Sequence, residues 1–438
     1  MRQRLQRWTP AFVVWLVAGF VLWWSWDRGR PFRNEIQLRL DVKVEAAPLV
    51  GRLIWQPHPW HLVPLIIGAL TIWGWPRLAR RTTFGWASTI AAFITGTFAV
   101  SLAATDGLGH IMDPVVDPTE YWTNLDRLPS ISQTVSSWSD FRFLLDYTTH
   151  LKGHPPGFIV VLQLFERIGL GQPWVVASLS WLSLAAITPG TMLLVRNMVD
   201  ERLALCVAPF LALAPFAVWS ATSADAFFTA LLVWGCALTV VALRGRSQVR
   251  SGLAAVGAGL VLAFAVFSTY GAAVAMVIPM AIVVFLPRVA VRRRASVAGL
   301  AGVGALLVTG AFRAAGFWWF DGLNTTKDFY RWGTSQFRPQ NYFIVSNVAV
   351  LLIALGPAFI AGVTTTGKSR LWVLVGAALV AVVVANVSGY SKAETERIWL
   401  IFMPFLMTAA ATVRHPRLWL SLQVVLAVTL QVWLRTKW

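Results

Sequence analysis

"GHPPGFIVVLQLFERIGL" (153–170) decides how this chain is read, because its apolar half either crosses a membrane or lies along it. The run 158–170 has 13 residues and carries Glu166 and Arg167. A helix of that length covers about 20 Å, against the ~30 Å hydrocarbon core of a bilayer. The run is therefore expected to be interfacial or re-entrant. Pro155 and Pro156 fix φ near about −65° and withhold two backbone donors, and proline suits the first turn of a helix. Gly157 admits close approach by another backbone. The step reads as the launch of an interfacial helix that fixes where His154 points.

Outward from this stretch the chain is oily: of 438 residues, 57% are hydrophobic and 13% charged. Apolar runs of roughly one membrane thickness recur from end to end, so the chain is an all-α polytopic membrane protein. Its net charge of +18 would suggest nucleic acid in a soluble protein. Here the basic residues fall in short clusters between apolar runs, the pattern of cytoplasmic turns, and nucleic-acid binding is set aside. The clusters are the N-terminus, "PRLARR" (76–81), "VRNMVDER" (195–202), "LRGRSQVR" (243–250), "PRVAVRRR" (287–294), "GKSR" (367–370) and "RHPR" (414–417). Thirteen spans are expected, near 10–26, 61–76, 84–104, 173–195, 203–220, 225–243, 251–268, 271–287, 296–315, 343–364, 371–388, 397–413 and 418–434. Counting 158–170 as a span would put every basic cluster from 244 to 417 outside, which is why it is left out.

The basic N-terminal head and apolar body lack a small-residue cleavage site and read as an uncleaved first span. Cys206 and Cys236 sit inside apolar runs and form neither a disulfide framework nor a metal-ligating pattern. The 24 tryptophans gather near run ends, as interfacial anchors do. Residues 37–46 alternate apolar and polar, which predicts a short strand in a small hairpin of the first outer loop.

With that parity the outer face receives 27–60, 105–172, 221–225, 268–271, 316–342 and 388–397. Function is expected there. Asp106 falls where span 84–104 meets the outer interface, with His110, Asp113, Asp117 and Glu120 beyond it. A partly desolvated acid has a raised pKa and suits a general base; a helix-end carboxylate facing water is the bland alternative. His150, Lys152 and His154 beside a forced helix start resemble an anion site. "GYSKAETERIW" (389–399) supplies Tyr390, Lys392, Glu394, Glu396 and Arg397. Arg397 at a span mouth can fork onto a phosphate or merely snorkel. The aromatic stretch 317–343 suits sugar rings or a lipid-interface belt. Asp225 and Tyr270 stand at outer helix ends.

An acid opening a long first outer loop, a "HPPG" step at 154–157 closing it, and many spans joined by short basic turns resemble the GT-C superfamily of integral membrane glycosyltransferases. The wording "DG…EYW…KGHPPG" and "ETERIWL" looks like actinobacterial members, and the resemblance covers about 84–413. It implies a core at 84–413, preceded by a two-helix membrane hairpin with its outer loop (1–83) and followed by a C-terminal membrane helix (414–438). It further implies a polyprenyl-phosphate sugar donor within membrane lipids, an extracytoplasmic glycan, lipid or protein acceptor, and inversion at the anomeric carbon. Asp106 would then be the general base, with Glu120 its rival. His154, Lys152, Lys392 and Arg397 would meet the donor phosphate. Tyr121, Tyr270, Asp225, Glu394 and Glu396 would meet sugar or acceptor. Many members pair two acids closely, whereas Asp106 is followed by Gly107 and the next acid is Asp113. No cofactor is assigned, and a divalent metal is left open. The competing class is a transporter or flippase, which would place ionisable groups near the midplane of broken helices. Here most stand at span ends, and Glu166, Arg167 and Arg313, the candidates for exceptions, can each sit near an interface.

Overall fold

The computed structural model describes residues 2–40, 47–104, 111–367 and 369–436, with only the backbone at 2–10, 31–40 and 334. Among the described residues the secondary structure is helical apart from one two-stranded pairing of Arg52–Leu53 with Leu434–Arg435. Every expected span falls on helical chain. Six described helices are long and apolar enough to cross a membrane, and a seventh crossing arises if the bent pair Gln340–Leu355 and Pro357–Thr365 counts as one. The six are Pro59–Arg81, Phe84–Ala103, Pro173–Met198, Ala224–Arg244, Gln248–Val266 and Val291–Ala314.

Of the other expected spans, 10–26 and 418–434 lie on the continuous helices Arg2–Leu40 and Pro416–Trp433, and five are short or broken for identifiable reasons. Gly356 adopts φ 74° ahead of Pro357, and the chain bends there by 93°. Glu201–Ala212 stops before Pro215. The stretch from Thr395 to Thr412 alternates α and 3₁₀ turns around Pro404. Tyr270–Phe285 and Trp372–Val387 have fewer than 18 residues.

Glycines set the closest helix approach. A Cβ on Gly259 would stand 1.9 Å from the Ala301 carbonyl oxygen, and one on Gly304 would stand 2.2 Å from that of Val256. Helices Gln248–Val266 and Val291–Ala314 therefore meet backbone to backbone. At the periphery Gly68 faces Val424, joining the second helix to the C-terminal one, and Trp15 stacks on Trp419 at 5.7 Å.

The alternation at 37–46 does not give a strand where it is visible: residues 37–40 continue the helix Arg2–Leu40, and 41–46 lie outside the described residues. Among the described residues the strand of the first loop is Arg52–Leu53, and its partner is Leu434–Arg435.

Two of the basic clusters meet directly. Arg293 Nη2 donates to the Ala242 and Gly245 carbonyls at 2.6 and 2.9 Å. Arg196 pairs with Glu201 at 2.8 Å and covers the Phe84 ring. The helix Ala224–Arg244 runs from the Arg293 contacts to the polar loops, about 30 Å away at 1.5 Å per residue. Residues 111–170 pack onto the bundle through an apolar cluster in which Tyr121, Leu125, Trp138, Leu151, Phe158 and Leu162 meet Phe228, Phe267 and Phe317.

The opening stretch starts a short helix. Pro156 caps the helix Gly157–Arg167, whose 11 residues span about 16 Å and are too few to cross a hydrocarbon core. Gly157 N donates to the Phe267 carbonyl at 2.7 Å, and a Cβ there would come within 2.4 Å of that oxygen. The glycine thus docks the corner onto the end of helix Gln248–Val266. The His154 carbonyl accepts from Trp138 Nε1 at 2.9 Å, which ties the same corner to the loop core.

Candidate active site

Three of the separated polar segments, the "ATSAD" turn among them, converge on one cleft lined by Glu120, Tyr121, His150, His154, Asp225, Phe228 and Arg397 among others. Each side chain is placed by its local sequence. Asp117 accepts from the Thr119 amide at 2.9 Å, and the resulting turn brings Glu120 N to the Asp117 carbonyl at 2.9 Å. Asn124, fully buried, donates to the Glu120 carbonyl and to Thr148 Oγ1, both at 2.9 Å. It staples the turn of Glu120 to the segment that carries His150. Ser223 caps helix Ala224–Arg244, and its hydroxyl donates to Asp225 Oδ2 at 2.8 Å.

Arg397 is the hub and only 5% exposed. Its Nη1 donates to Glu120 Oε1 at 3.1 Å, and its Nε forms an ion pair with Asp225 Oδ2 at 3.3 Å without hydrogen-bond geometry. Its Nη2 lies 3.0 Å from His150 Nε2 and 3.8 Å from Glu394 Oε2. A guanidinium only donates, so His150 Nε2 accepts and the ring proton sits on Nδ1. That nitrogen is 2.9 Å from Glu120 Oε2. Glu120, His150 and Arg397 therefore close a triangle.

Burial would raise the Glu120 pKa, but His150 and Arg397 together outweigh it and hold the carboxyl below its ordinary value. Glu394 is likewise held low against burial by Arg338 and Arg397. Burial takes His154 from 6.5 down to about 4, against the opposing pull of Asp225. His154 is neutral at neutral pH, and its Nδ1 donates to the His150 carbonyl at 3.0 Å. Burial also pushes the Tyr121 phenol up, and its hydroxyl has no hydrogen-bond partner.

Of the residues singled out from sequence, Glu120, Tyr121, His154, Asp225 and Arg397 come together, and Glu394 borders them. Asp106 and His110 lie outside the described residues. Lys152 turns away, donating to the Leu145 carbonyl at 2.8 Å, and Lys392 reaches toward the Ser335 carbonyl at 3.4 Å. Tyr270 packs against Trp319 at 5.3 Å, outside the cleft lining. Glu396 is fully buried with both carboxyl oxygens unpartnered, and burial pushes it up to about 8.

His150 is more central than its sequence reading as one cation of three, and Asn124 and Arg338 carried no sequence signal beyond their polarity. No three His, Cys, Asp or Glu side chains gather as metal ligands among the described residues. Arg397 itself fills the space between Glu120 and Asp225 with positive charge.

No protein-family model matches the chain, and no curated protein matches it by sequence. Solved structures do. The oligosaccharyltransferase of Archaeoglobus fulgidus, in complex with Zn and sulfate, matches at 13% identity and a TM-score of 0.50 over 80% of this chain and 53% of that one. Its apo form matches at 11% identity and a TM-score of 0.48, over 75% and 50% of the two chains. The same organism's enzyme with an inhibitory peptide and a dolichol-phosphate matches at 12% identity and a TM-score of 0.43, over 81% and 56%. The present chain spans about half the length of these structures. At such identities the likeness speaks to the fold alone: over 80% of its length this chain shares the fold of the Archaeoglobus fulgidus oligosaccharyltransferase.

Proposed function

We propose that this chain is a membrane glycosyltransferase that moves a sugar from a polyprenyl-phosphate donor to an extracytoplasmic glycan, lipid or protein, with inversion. The observation that carries the reading is the convergence of Glu120, His150, Asp225 and Arg397 on one cleft, in a helical bundle that shares the fold of an oligosaccharyltransferase. A polyprenyl carrier keeps its tail in the bilayer and its phosphate at headgroup depth, where this cleft would lie if the basic turns are cytoplasmic.

In this reading Asp106 takes the proton from an acceptor hydroxyl, with Glu120 as the alternative base. The acceptor oxygen attacks the anomeric carbon from the face opposite the phosphate. The bond from that carbon to the phosphate oxygen breaks, and the phosphate leaves with the electron pair. Arg397 stabilises the developing charge, and His154 contributes a neutral hydrogen-bonding ring. Asp225, Tyr121 and Glu394 face the sugar and acceptor hydroxyls. Cells lacking the protein should accumulate a lipid-linked sugar and lose one envelope glycan; unchanged pools of both would reject the reading.

A further inference from the structure

Three basic turns meet at the end of helix Ala224–Arg244 that lies about 30 Å from Asp225. Helices Ala224–Arg244 and Trp372–Val387 both pack on Val277–Phe285. Arg244 ends the first helix, Arg288 follows the third and Arg370 precedes the second. Arg288 and Arg370 are the charges that act on the Arg244 guanidinium, and both repel it.

The other arginines of this junction are committed to backbone. Arg293 holds the Ala242 and Gly245 carbonyls. Arg294 donates to the carbonyls of Val283, Val284 and Leu286 and so closes the end of helix Val277–Phe285. Among the described residues, the guanidinium groups of Arg244, Arg288 and Arg370 have no hydrogen bond or ion pair. The sequence supplies the reason. No Asp or Glu occurs between Asp225 and Asp321, or between Asp328 and Glu394. The acids of the neighbouring turn are taken: Glu201 pairs with Arg196, and Asp200 Oδ1 accepts from Leu203 N. Three like charges within electrostatic reach repel one another, and an anion among them removes the repulsion.

The surface leading to this cluster selects the anion. Met280, Val284 and Phe285 are 65, 58 and 65% exposed on the helix that ends just before Arg288. A bare apolar helix face running up to three arginines matches the two ends of a phospholipid: acyl chain on the face, phosphate at the guanidinium groups.

We propose that Arg244, Arg288 and Arg370 form a headgroup site for an anionic phospholipid whose acyl chain lies along Met280, Val284 and Phe285. The site is remote from the Arg397 cleft, and lipid binding there does not depend on the glycosyltransferase reading.

Native mass spectrometry of the full-length protein in detergent, titrated with phosphatidylglycerol, tests the site. Phosphatidylcholine and glycerol phosphate serve as the zwitterionic and the soluble-anion comparisons. Wild type should hold phosphatidylglycerol in preference to both. Arg244→Gln, Arg288→Asn and Arg370→Gln should each weaken that binding about fivefold, and together about a hundredfold. Asparagine is used at 288 because it tolerates the left-handed φ of 58° there. Arg77→Gln/Arg80→Gln/Arg81→Gln removes as much charge from another basic turn and should bind as wild type does. If the triple variant at the junction fails to fold, Arg288→Asn/Arg370→Gln, at two exposed positions, carries the comparison. An equal loss in the Arg77/Arg80/Arg81 variant would reveal a general charge effect rather than a site and overturn the proposal. Undiminished binding by the junction variants, equal binding of phosphatidylcholine, or displacement of the lipid by an equal concentration of glycerol phosphate would overturn it as well.

Discussion

Arg397 Nη1 and Glu120 Oε1 lie 3.1 Å apart although 277 positions separate the residues in sequence. The pair is almost completely buried, at 6% and 15% side-chain exposure, and Asp225 shares the same guanidinium. Removing one partner of a buried charge cluster leaves the others uncompensated. Arg397→Ala is therefore expected to destabilise the protein by about 3 kcal/mol as well as to impair donor use. Arg397→Lys separates the two effects: it keeps a charge and loses the fork. Thermal midpoints in detergent and transfer rates at matched protein levels should show Arg397→Lys folded but impaired. A lysine variant with wild-type transfer would remove Arg397 from the phosphate role.

His154 makes native stability depend on pH. Its folded pKa of about 4 lies below the ordinary 6.5, so on acidification the unfolded chain takes up this proton first. Stability is present above 6.5 and is lost as pH falls toward 4, with a limiting slope of about 1.4 kcal/mol per pH unit from this one group. The difference between wild type and His154→Gln, followed by chemical denaturation, should carry that slope in this window. Parallel curves would show that the ring is not buried as a neutral group.

Glu396 acts in the opposite sense. Burial raises its carboxyl from 4.5 to about 8, so the native state holds a proton that the unfolded chain releases. Its contribution is full below 4.5 and is lost as pH rises through 8. Glu396→Gln should match wild type near about pH 5 and exceed it in thermal midpoint near about pH 8.5. A variant less stable than wild type at the higher pH would mean that the carboxylate has an ionic partner.

Gly157→Ala tests the corner. The added Cβ would meet the Phe267 carbonyl oxygen at 2.4 Å, where neither backbone has slack. A loss of stability well above about 1 kcal/mol is expected, with loosening of residues 148–158 in hydrogen exchange. Unchanged exchange would show that the corner does not depend on this contact.

The face of the membrane is read by cysteine labelling in a Cys206→Ala/Cys236→Ala background. Ser130→Cys and Asp328→Cys should react with an impermeant reagent from outside, and Ser247→Cys and Arg292→Cys should not. Labelling of position 247 from outside would invert the topology.

Much of the helical layout was legible because apolar runs, basic turns and prolines are local signals. Gly157 could be read for the same reason: a glycine after two prolines has few other uses. The alternation at 37–46 misled because period two in a few residues is weaker evidence than the helix already running through Leu40. Arg338 and Asn124 could not be picked out, since the packing of distant loops alone gives them their partners. His150 was visible only as a cation near an anion site. Its use as an acceptor for Arg397 depends on which nitrogen faces the guanidinium, a tertiary fact. Lys152 shows the converse: close in sequence to both histidines, it points elsewhere because a carbonyl nearer its own stem captures it.

The most direct measurement follows labelled sugar from a polyprenyl-phosphate donor to acceptor in membranes holding equal amounts of wild type, Asp106→Asn, Glu120→Gln and His154→Ala. Asparagine and glutamine keep the size of the acids but are far too weak as bases to take a hydroxyl proton. The account predicts transfer by wild type, a loss of about 10²–10⁴-fold in Asp106→Asn, and smaller losses in the other two. A near wild-type rate for Asp106→Asn with a dead Glu120→Gln would move the base to Glu120. Full activity in all three would show the site to be misplaced, and a wild type that consumes no lipid-linked sugar would contradict the glycosyltransferase reading and favour a transporter.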